Sequence, residues 1–165
     1  EWCANESNNP TYLRLGKAGE PNLTSNADKF EFGKIRYLSK GEDYAILSYG
    51  ITVKLAFELK EKLENSGSSV SVISCHTIKP LDKEGVLNTL RKHKKVIVVE
   101  EMIPTGGLSS MVTEISLSNN ITNKLKCFTL KDEFIKFYGS HDELLAKHNL
   151  SSEFILNNLG WITFC

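Results

Sequence analysis

The sequence lacks the charge excess and the long apolar runs that mark two large classes of protein. Its 165 residues hold 20 Lys and Arg against 20 Asp and Glu, so the formal net charge is zero. A general nucleic-acid-binding protein needs a basic excess, so this balance argues against nucleic acid as a partner. No apolar run approaches the roughly 18 residues of a membrane-spanning helix, so we expect no membrane partner either.

Cysteine and proline are scarce, with four residues of each. The cysteines stand at positions 3, 75, 127 and 165, and no CxxC pair of the kind that binds metal or exchanges disulfides occurs. We therefore expect reduced thiols and a cytoplasmic protein. Cys75 and Cys127 lie in apolar runs, which predicts that both are small core residues.

Apolar periodicity predicts an α/β domain that starts near Lys34. Strands and helices alternate along it, which favours parallel strands joined by crossovers and a sheet covered by helices on both faces. The clearest strand is KVIVVE at 95–100, whose β-branched residues are typical of a buried parallel strand. The predicted strands are 35–39, 44–49, 70–75, 95–100 and 125–130, and the predicted helices are 51–65, 83–93, 106–117, 140–148 and 151–159.

The first two of these strands are separated only by the turn at 40–43, which is too short for a crossover. We therefore expect them to be an antiparallel pair, and the sheet to be mixed but mostly parallel. Residues 11–15, TYLRL, alternate in the manner of a further short strand. Residues 16–31 are rich in Gly, Pro, Asn and Ser, which indicates a linker or a wrapping loop.

One candidate anion site follows the central strand. Glu100 ends that strand, and Gly106 and Gly107 open the next helix. Ligands bind at the carboxyl ends of parallel strands, and a helix N-terminus offers free N–H groups and a positive dipole end. The alternative interpretation is structural: the glutamate accepts hydrogen bonds from backbone N–H groups, and the glycines permit close packing.

A second candidate site is the basic pair in LRLGKAG. Arg14 and Lys17 flank a glycine, and two cations on such a loop suit a phosphate or a carboxylate. The alternative is a solvated loop, and the residues alone leave the two interpretations open.

The histidines stand at no metal-ligand spacing, and no GxSxG, HExxH or P-loop motif occurs. The turn that contains His76 has two interpretations. The ring could be a pH-sensitive group or a ligand, but a structural turn is favoured, because Pro80 keeps its neighbour extended and Asp82 can begin a helix. We expect the remaining histidines to be solvated on the surface: His93, His141 and His148.

Four segments, in order, resemble the carboxyl-terminal part of the transketolase-like, thiamine-diphosphate-dependent enzymes. They are PTYLRLGKAGEP, GEDYAILSYGITVKLAFEL, SVISCHTIKPLD and VIVVEEMIPTGGLSSMVTEI, and the resemblance runs over residues 10–155. The TIKPLD turn and the step from glutamate to Gly-Gly are its most specific parts. The family includes transketolase, 1-deoxy-xylulose-5-phosphate synthase and the β subunits of 2-oxo-acid dehydrogenases.

The resemblance implies a division of the chain into three parts. Residues 1–17 would be the tail end of a pyrimidine-binding domain, 18–33 an interdomain linker, and 34–165 the C-terminal domain. That domain would be a three-layer α/β/α unit with a mixed, mostly parallel five-stranded sheet. Its partners would be the upstream pyrophosphate- and pyrimidine-binding domains, fused or on a separate subunit, in a homodimeric complete enzyme.

The resemblance also implies a function. The complete enzyme would use thiamine diphosphate and Mg²⁺ to transfer a two-carbon ketol unit between phosphorylated sugars. The family's cofactor-binding motifs do not occur in this sequence, so we expect the isolated segment to bind neither group and to be inactive. Lys17 resembles the family's sugar-phosphate ligand, and Arg14 resembles a basic residue of the deoxyxylulose-phosphate synthases. The alternative is a docking or regulatory domain like that of the dehydrogenase β subunits, which binds a partner protein.

Overall fold

Five strands form one sheet in the computed structural model, which describes residues 2–16, 21–24 and 30–160 of the chain. The strands are β1 (Arg36–Ser39), β2 (Tyr44–Ser48), β3 (Val70–Ser74), β4 (Lys95–Val99) and β5 (Lys124–Phe128). The helices are α1 (Trp2–Asn5), α2 (Thr52–Asn65), α3 (Lys83–Lys92), α4 (Leu108–Ser118), α5 (His141–Lys147) and α6 (Ser152–Asn158). Across this described part, no helix has both the length and the apolarity that a membrane crossing needs.

The sheet is mixed and mostly parallel, with the order β1-β3-β2-β4-β5. Parallel pairing joins β2 to β3 and to β4, and β4 to β5, while β1 lies antiparallel at the edge. The α/β fold class and the antiparallel strand are therefore as the sequence predicts.

The predicted pairing of the first two strands is wrong, because β1 pairs with β3 and not with β2. The turn at 40–43 does not fold back as a hairpin but crosses the amino end of β3. There the backbone N–H of Gly41 donates to Ser71 Oγ at 2.9 Å, and that of Glu42 donates to Ser69 Oγ at 2.7 Å. A Cβ on Gly41 would stand 2.2 Å from the Val70 nitrogen, so only glycine allows this crossing.

Side chains that alternate along the strands build one apolar core on each face of the sheet. On one face, α2 and α6 cover residues such as Ile46, Val72 and Ile97. On the other, α3 and α4 cover residues such as Leu47, Ile73 and Val98. Every residue of β2 and of β3 is buried, which is typical of the central strands of a parallel sheet.

The predicted helix starts are present. The Asp82 carboxylate accepts from the Gly85 N–H at 3.0 Å and begins α3. Ser140 and Glu143 form a capping box at α5, with each side chain accepting from the other's backbone N–H. The Ser151 hydroxyl accepts from the Phe154 N–H at 3.2 Å and begins α6.

The predictions for residues 11–15 and for Cys127 are wrong. Residues 11–15 are not a strand, because they are exposed and pair with no other strand in the described ranges. Cys75 is buried as expected, but Cys127 is exposed because β5 is an edge strand that α4 covers only in part.

Two histidines expected at the surface are buried, namely His93 and His148. His93 lies between α3 and β4 with Nδ1 3.0 Å from the Thr89 carbonyl oxygen. Its Nε2 lies 3.1 Å from the Gly41 carbonyl oxygen and 3.3 Å from Ser71 Oγ. His148 is held by its Nδ1, which accepts from the Lys131 N–H at 3.0 Å. These partners offset the cost of burying the His93 ring, whereas His148 Nε2 is buried without a hydrogen-bond partner in the part of the chain that the structure describes.

Candidate functional site

Glu100 occupies the carboxyl end of β4 as a fully buried carboxylate. Its Oε2 accepts from the Leu108 N–H at 2.8 Å, and its Oε1 accepts from the Ser109 N–H at 2.7 Å. The Tyr49 hydroxyl donates to the same Oε2 at 3.2 Å. The carboxylate thus caps the N-terminus of α4, where a negative charge also complements the helix dipole.

The two glycines of the predicted anion site allow the Glu100 carboxylate to reach the start of α4. A Cβ on Gly107 would stand 2.4 Å from Glu100 Oε2, so the carboxylate reaches the helix only past a glycine. Gly106 adopts φ +81°, a backbone conformation that favours glycine. The structure brings Glu100, Gly106 and Gly107 together, but the Leu108 and Ser109 N–H groups already bind Glu100. This geometry supports the structural interpretation, since an external anion would have to displace the protein's own carboxylate.

A cluster of partly exposed charges surrounds this cap. Glu101 lies next in the chain, with Oε1 3.1 Å from His141 Nε2 and Oε2 3.9 Å from an Arg14 terminal nitrogen. The exposed fractions of the side chains are 57% for Arg14, 25% for Glu101 and 41% for His141. Unlike Glu100, these groups can meet a ligand or a partner without unfolding.

Tyr49 links the buried cap to the exposed cluster. Burial and, next, the negative charge of Glu100 raise the pKa of Tyr49 from 10.0 to about 12, and the hydrogen bond to Glu100 adds to the shift. The hydroxyl therefore stays protonated at neutral pH and remains a donor to the carboxylate.

Of the predicted phosphate-binding pair, only Arg14 can be placed. It reaches the carboxyl end of the sheet, within ion-pair distance of Glu101. Lys17 lies outside the described residues.

Sequence reasoning missed two members of this cluster. Tyr49 directly follows β2, a position where the carboxyl-end rule for ligand sites provides a usable signal. His141 carries no such signal, because it comes from α5, 40 residues after Glu101 in the sequence, and reaches the cluster only through the tertiary fold.

The described residues do not suit a diphosphate group with its metal ion. In the parts of the chain that the structure covers, no group of three or more His, Cys, Asp or Glu side chains is arranged to hold a metal. The N–H groups at the start of α4, which would suit a phosphate, bind Glu100 instead. No step of a reaction is therefore assigned to a cofactor on these residues.

Comparison with known proteins assigns the chain to a family. The family described as "Transketolase, C-terminal domain" matches residues 33–155. The chain therefore belongs to the transketolase C-terminal domain family.

Curated relatives agree with this assignment. The chain is 32% identical to a putative transketolase C-terminal section of Methanocaldococcus jannaschii, over 93% of this chain and 48% of the relative. It is 33% identical to a 6-deoxy-6-sulfo-D-fructose transketolase subunit of a Clostridium species, over 93% of this chain and 47% of the relative. It is also 30% identical to a 1-deoxy-D-xylulose-5-phosphate synthase of Nitrosococcus oceani, over 92% of this chain and 23% of the relative.

A solved structure shows the same fold. An inactive β4 tetramer of a split-gene transketolase superposes with a TM-score of 0.85 at 30% identity, over 96% of this chain and 51% of that chain. The chain thus spans about half the length of the first relatives it matches, and a smaller part of the synthase.

Proposed function

We propose that this chain is the C-terminal section of a thiamine-diphosphate-dependent transketolase-type enzyme. The complete enzyme transfers a two-carbon ketol unit between phosphorylated sugars, as a homodimer in the cytoplasm. An upstream section with the pyrophosphate- and pyrimidine-binding domains, fused or separate, holds thiamine diphosphate and Mg²⁺. Within this proposal, residues 1–17 end the pyrimidine-binding domain, 18–33 link it to the C-terminal domain, and 34–165 form that domain. The family match is the observation that carries the proposal.

The distribution of exposed apolar side chains supports an assembled protein. Nine large hydrophobic residues are exposed in the described ranges, and seven belong to three segments that contain or adjoin Arg14, Glu101 and His141. These segments are 11–15, the residue after Glu101, and the loop that joins β5 to α5. The seven residues are Tyr12, Leu13, Leu15, Met102, Phe134, Ile135 and Tyr138. A concentration of this kind is typical of an interface, and the missing half of the enzyme would cover it.

The position of Arg14 supports a contact with the substrate phosphate. Its guanidinium is more than half exposed and meets Glu101 at only 3.9 Å, so the ion pair is weak and can open. A guanidinium binds phosphate through two parallel N–H donors, and this geometry suits Arg14 to the phosphate contact. Lys17 would add a second, looser contact.

The test is reconstitution of the enzyme from this chain and its upstream section. With both sections, thiamine diphosphate and Mg²⁺, we expect ketol transfer from a phosphorylated ketose. We expect the chain alone to give no activity, and no binding heat when titrated with thiamine diphosphate and Mg²⁺. Saturable heat with the chain alone would contradict the placement of the cofactor on the upstream section.

The phosphate role is tested by Arg14→Ala in the reconstituted enzyme. We expect the KM for phosphorylated donors to rise by roughly 10- to 150-fold, since one charged hydrogen bond contributes about 1.5–3 kcal/mol, while unphosphorylated donors change little. Lys17→Ala should act in the same direction with a smaller effect. Arg91→Ala, an exposed arginine of α3, is the matched control. Equal effects on both donor types would remove the phosphate role.

A further inference from the structure

Two buried nitrogen atoms near the carboxyl end of β3 have no hydrogen-bond partner. They are Nε of Arg36, the first residue of β1, and Nε2 of His76, which follows β3 by two residues. Arg36 also makes no ion pair with any residue in the described ranges. Buried polar groups are nearly always paired, and a guanidinium cannot escape the cost by losing its proton.

The sheet places these two side chains together. Arg36 pairs with Ser74 across the antiparallel β1–β3 ladder. Because side chains alternate along a strand, Ser74 and His76 point to the same face, so Arg36 and His76 are diagonal neighbours there. Burial and, second, the positive charge of Arg36 lower the pKa of His76. The imidazole is therefore neutral at neutral pH, and Arg36 supplies the single positive charge of the pair.

Hydrogen bonds around the ring favour one tautomer of His76. The Gly33 N–H donates to Thr77 Oγ1 at 3.3 Å, and the same oxygen lies 3.0 Å from His76 Nδ1. Because the hydroxyl accepts from Gly33, its own hydrogen is free to donate to Nδ1, an arrangement that favours the tautomer with the ring proton on Nε2. Phe30 holds the ring in this orientation, with the two ring centroids 4.7 Å apart. Both unpaired atoms are then donors.

We infer that Arg36 and His76 form a binding site for a carboxylate group. Two N–H donors and one positive charge match the two oxygens and single negative charge of a carboxylate, and the filled site is neutral. A phosphate dianion would leave an excess negative charge at a half-buried position. Both residues keep some exposed surface, whereas the two nitrogen atoms are buried, so a carboxylate from solvent reaches them by displacing the side-chain atoms that cover them. The carboxylate has two possible sources, an acidic side chain of the upstream section or a free carboxylic acid.

The experiment is a ¹⁵N NMR titration of the whole chain, labelled at arginine and histidine. Sodium acetate replaces sodium chloride at constant ionic strength. We expect the signals of Arg36 Nε and His76 Nε2 to shift saturably, while Arg91 Nε on α3 does not. The Arg36→Gln variant should abolish the shift at His76, and Arg91→Gln should leave it intact. Because the first titration uses the unaltered chain, the result does not depend on a variant folding.

Three results would overturn the inference. They are no shift at either atom, a non-saturating shift shared by Arg36 and Arg91, and binding of inorganic phosphate without binding of acetate. The first would leave ordinary water as the partner of the two donors.

A second titration, with the upstream section bound, separates the two sources. Signals already shifted and no longer responsive to acetate identify an acidic side chain of that section. Signals that still respond identify a free acid, and either result supports a carboxylate site. The site does not rest on the proposed function, since failure of the two sections to associate would contradict that function and leave the first titration valid.

Discussion

Buried ionisable side chains have different surroundings at the two ends of the parallel strands. At the amino end, His93 is enclosed, and its ring nitrogens lie within hydrogen-bond distance of Thr89, Gly41 and Ser71. At the carboxyl end, Glu100 is equally buried, but it stands beside Glu101 and His141, which remain partly exposed.

This difference separates polar groups that build the fold from polar groups available for contact. The His93 network joins α3 to the starts of β2 and β3, and nothing in it faces solvent. The Glu100 cap also builds the fold, yet it positions an outer layer of charges within reach of a partner. A buried charge at the carboxyl end is therefore a poor guide to the site, and its exposed sequence neighbour is a better one.

The largest expected effect comes from a substitution at the carboxyl end of the strands. Glu100→Ala leaves two buried N–H groups unpaired and removes a carboxylate that accepts three hydrogen bonds. We expect a loss of about 3 kcal/mol in the free energy of unfolding, measured by urea denaturation. Glu101→Ala is the control and should cost under about 1 kcal/mol, because its partners are exposed. Equal losses for the two variants would show that burial does not separate their roles.

The next largest effect comes from a substitution at the amino end of the strands. His93→Ala removes a buried ring and leaves the Gly41 carbonyl and Ser71 with fewer partners. We expect a loss of about 2 kcal/mol in the free energy of unfolding. His141→Ala, at the exposed cluster, should change it by under about 0.5 kcal/mol. A greater loss for His141 than for His93 would reverse the assignment of structural roles.

A smaller effect appears at high pH. The folded state raises the pKa of Tyr49 to about 12 from 10.0, so it favours the protonated phenol. The stabilisation is therefore complete below pH 10 and is lost as the pH rises to 12. Because the side chain is only partly buried, we expect about 1 kcal/mol. Tyr49→Phe should remove this pH dependence of unfolding, whereas Tyr138→Phe, at an exposed position, should retain it.

The smallest expected effect comes from a substitution in the exposed cluster beside Glu101. Arg14→Ala should change the free energy of unfolding by under about 0.5 kcal/mol, because its ion pair with Glu101 is long and exposed. Chemical denaturation of the isolated chain measures this. A loss above about 1 kcal/mol would assign Arg14 to the fold and weaken its proposed contact with the substrate phosphate.

Local sequence patterns predicted most of the fold. Periodicity located all five strands of the sheet within one or two residues, and Asp82, Ser140 and Ser151 began helices as their chemistry requires. The partner of β1 was not predictable in this way, because it depends on a turn that crosses β3 through contacts with Ser69 and Ser71.

The candidate site was predicted less completely, for reasons of distance along the chain. Glu100 and the two glycines are close in sequence, so the sequence alone supports both interpretations of them. His141 meets Glu101 only in the folded protein. The enclosure of His93 likewise depends on residues from two other elements, so helical position alone suggested solvent.

The order β1-β3-β2-β4-β5 also constrains how the chain assembles during synthesis. Of the strands in this sheet, β1 and β2 come first along the chain, and they do not pair with each other. The central strand β2 pairs with β3 on one side and with β4 on the other. Loop closure therefore precedes the first ladder bond, which slows sheet formation. The middle of the sheet cannot be completed until Val99 has left the ribosome, so a nascent chain halted before that residue should be readily cut by proteases.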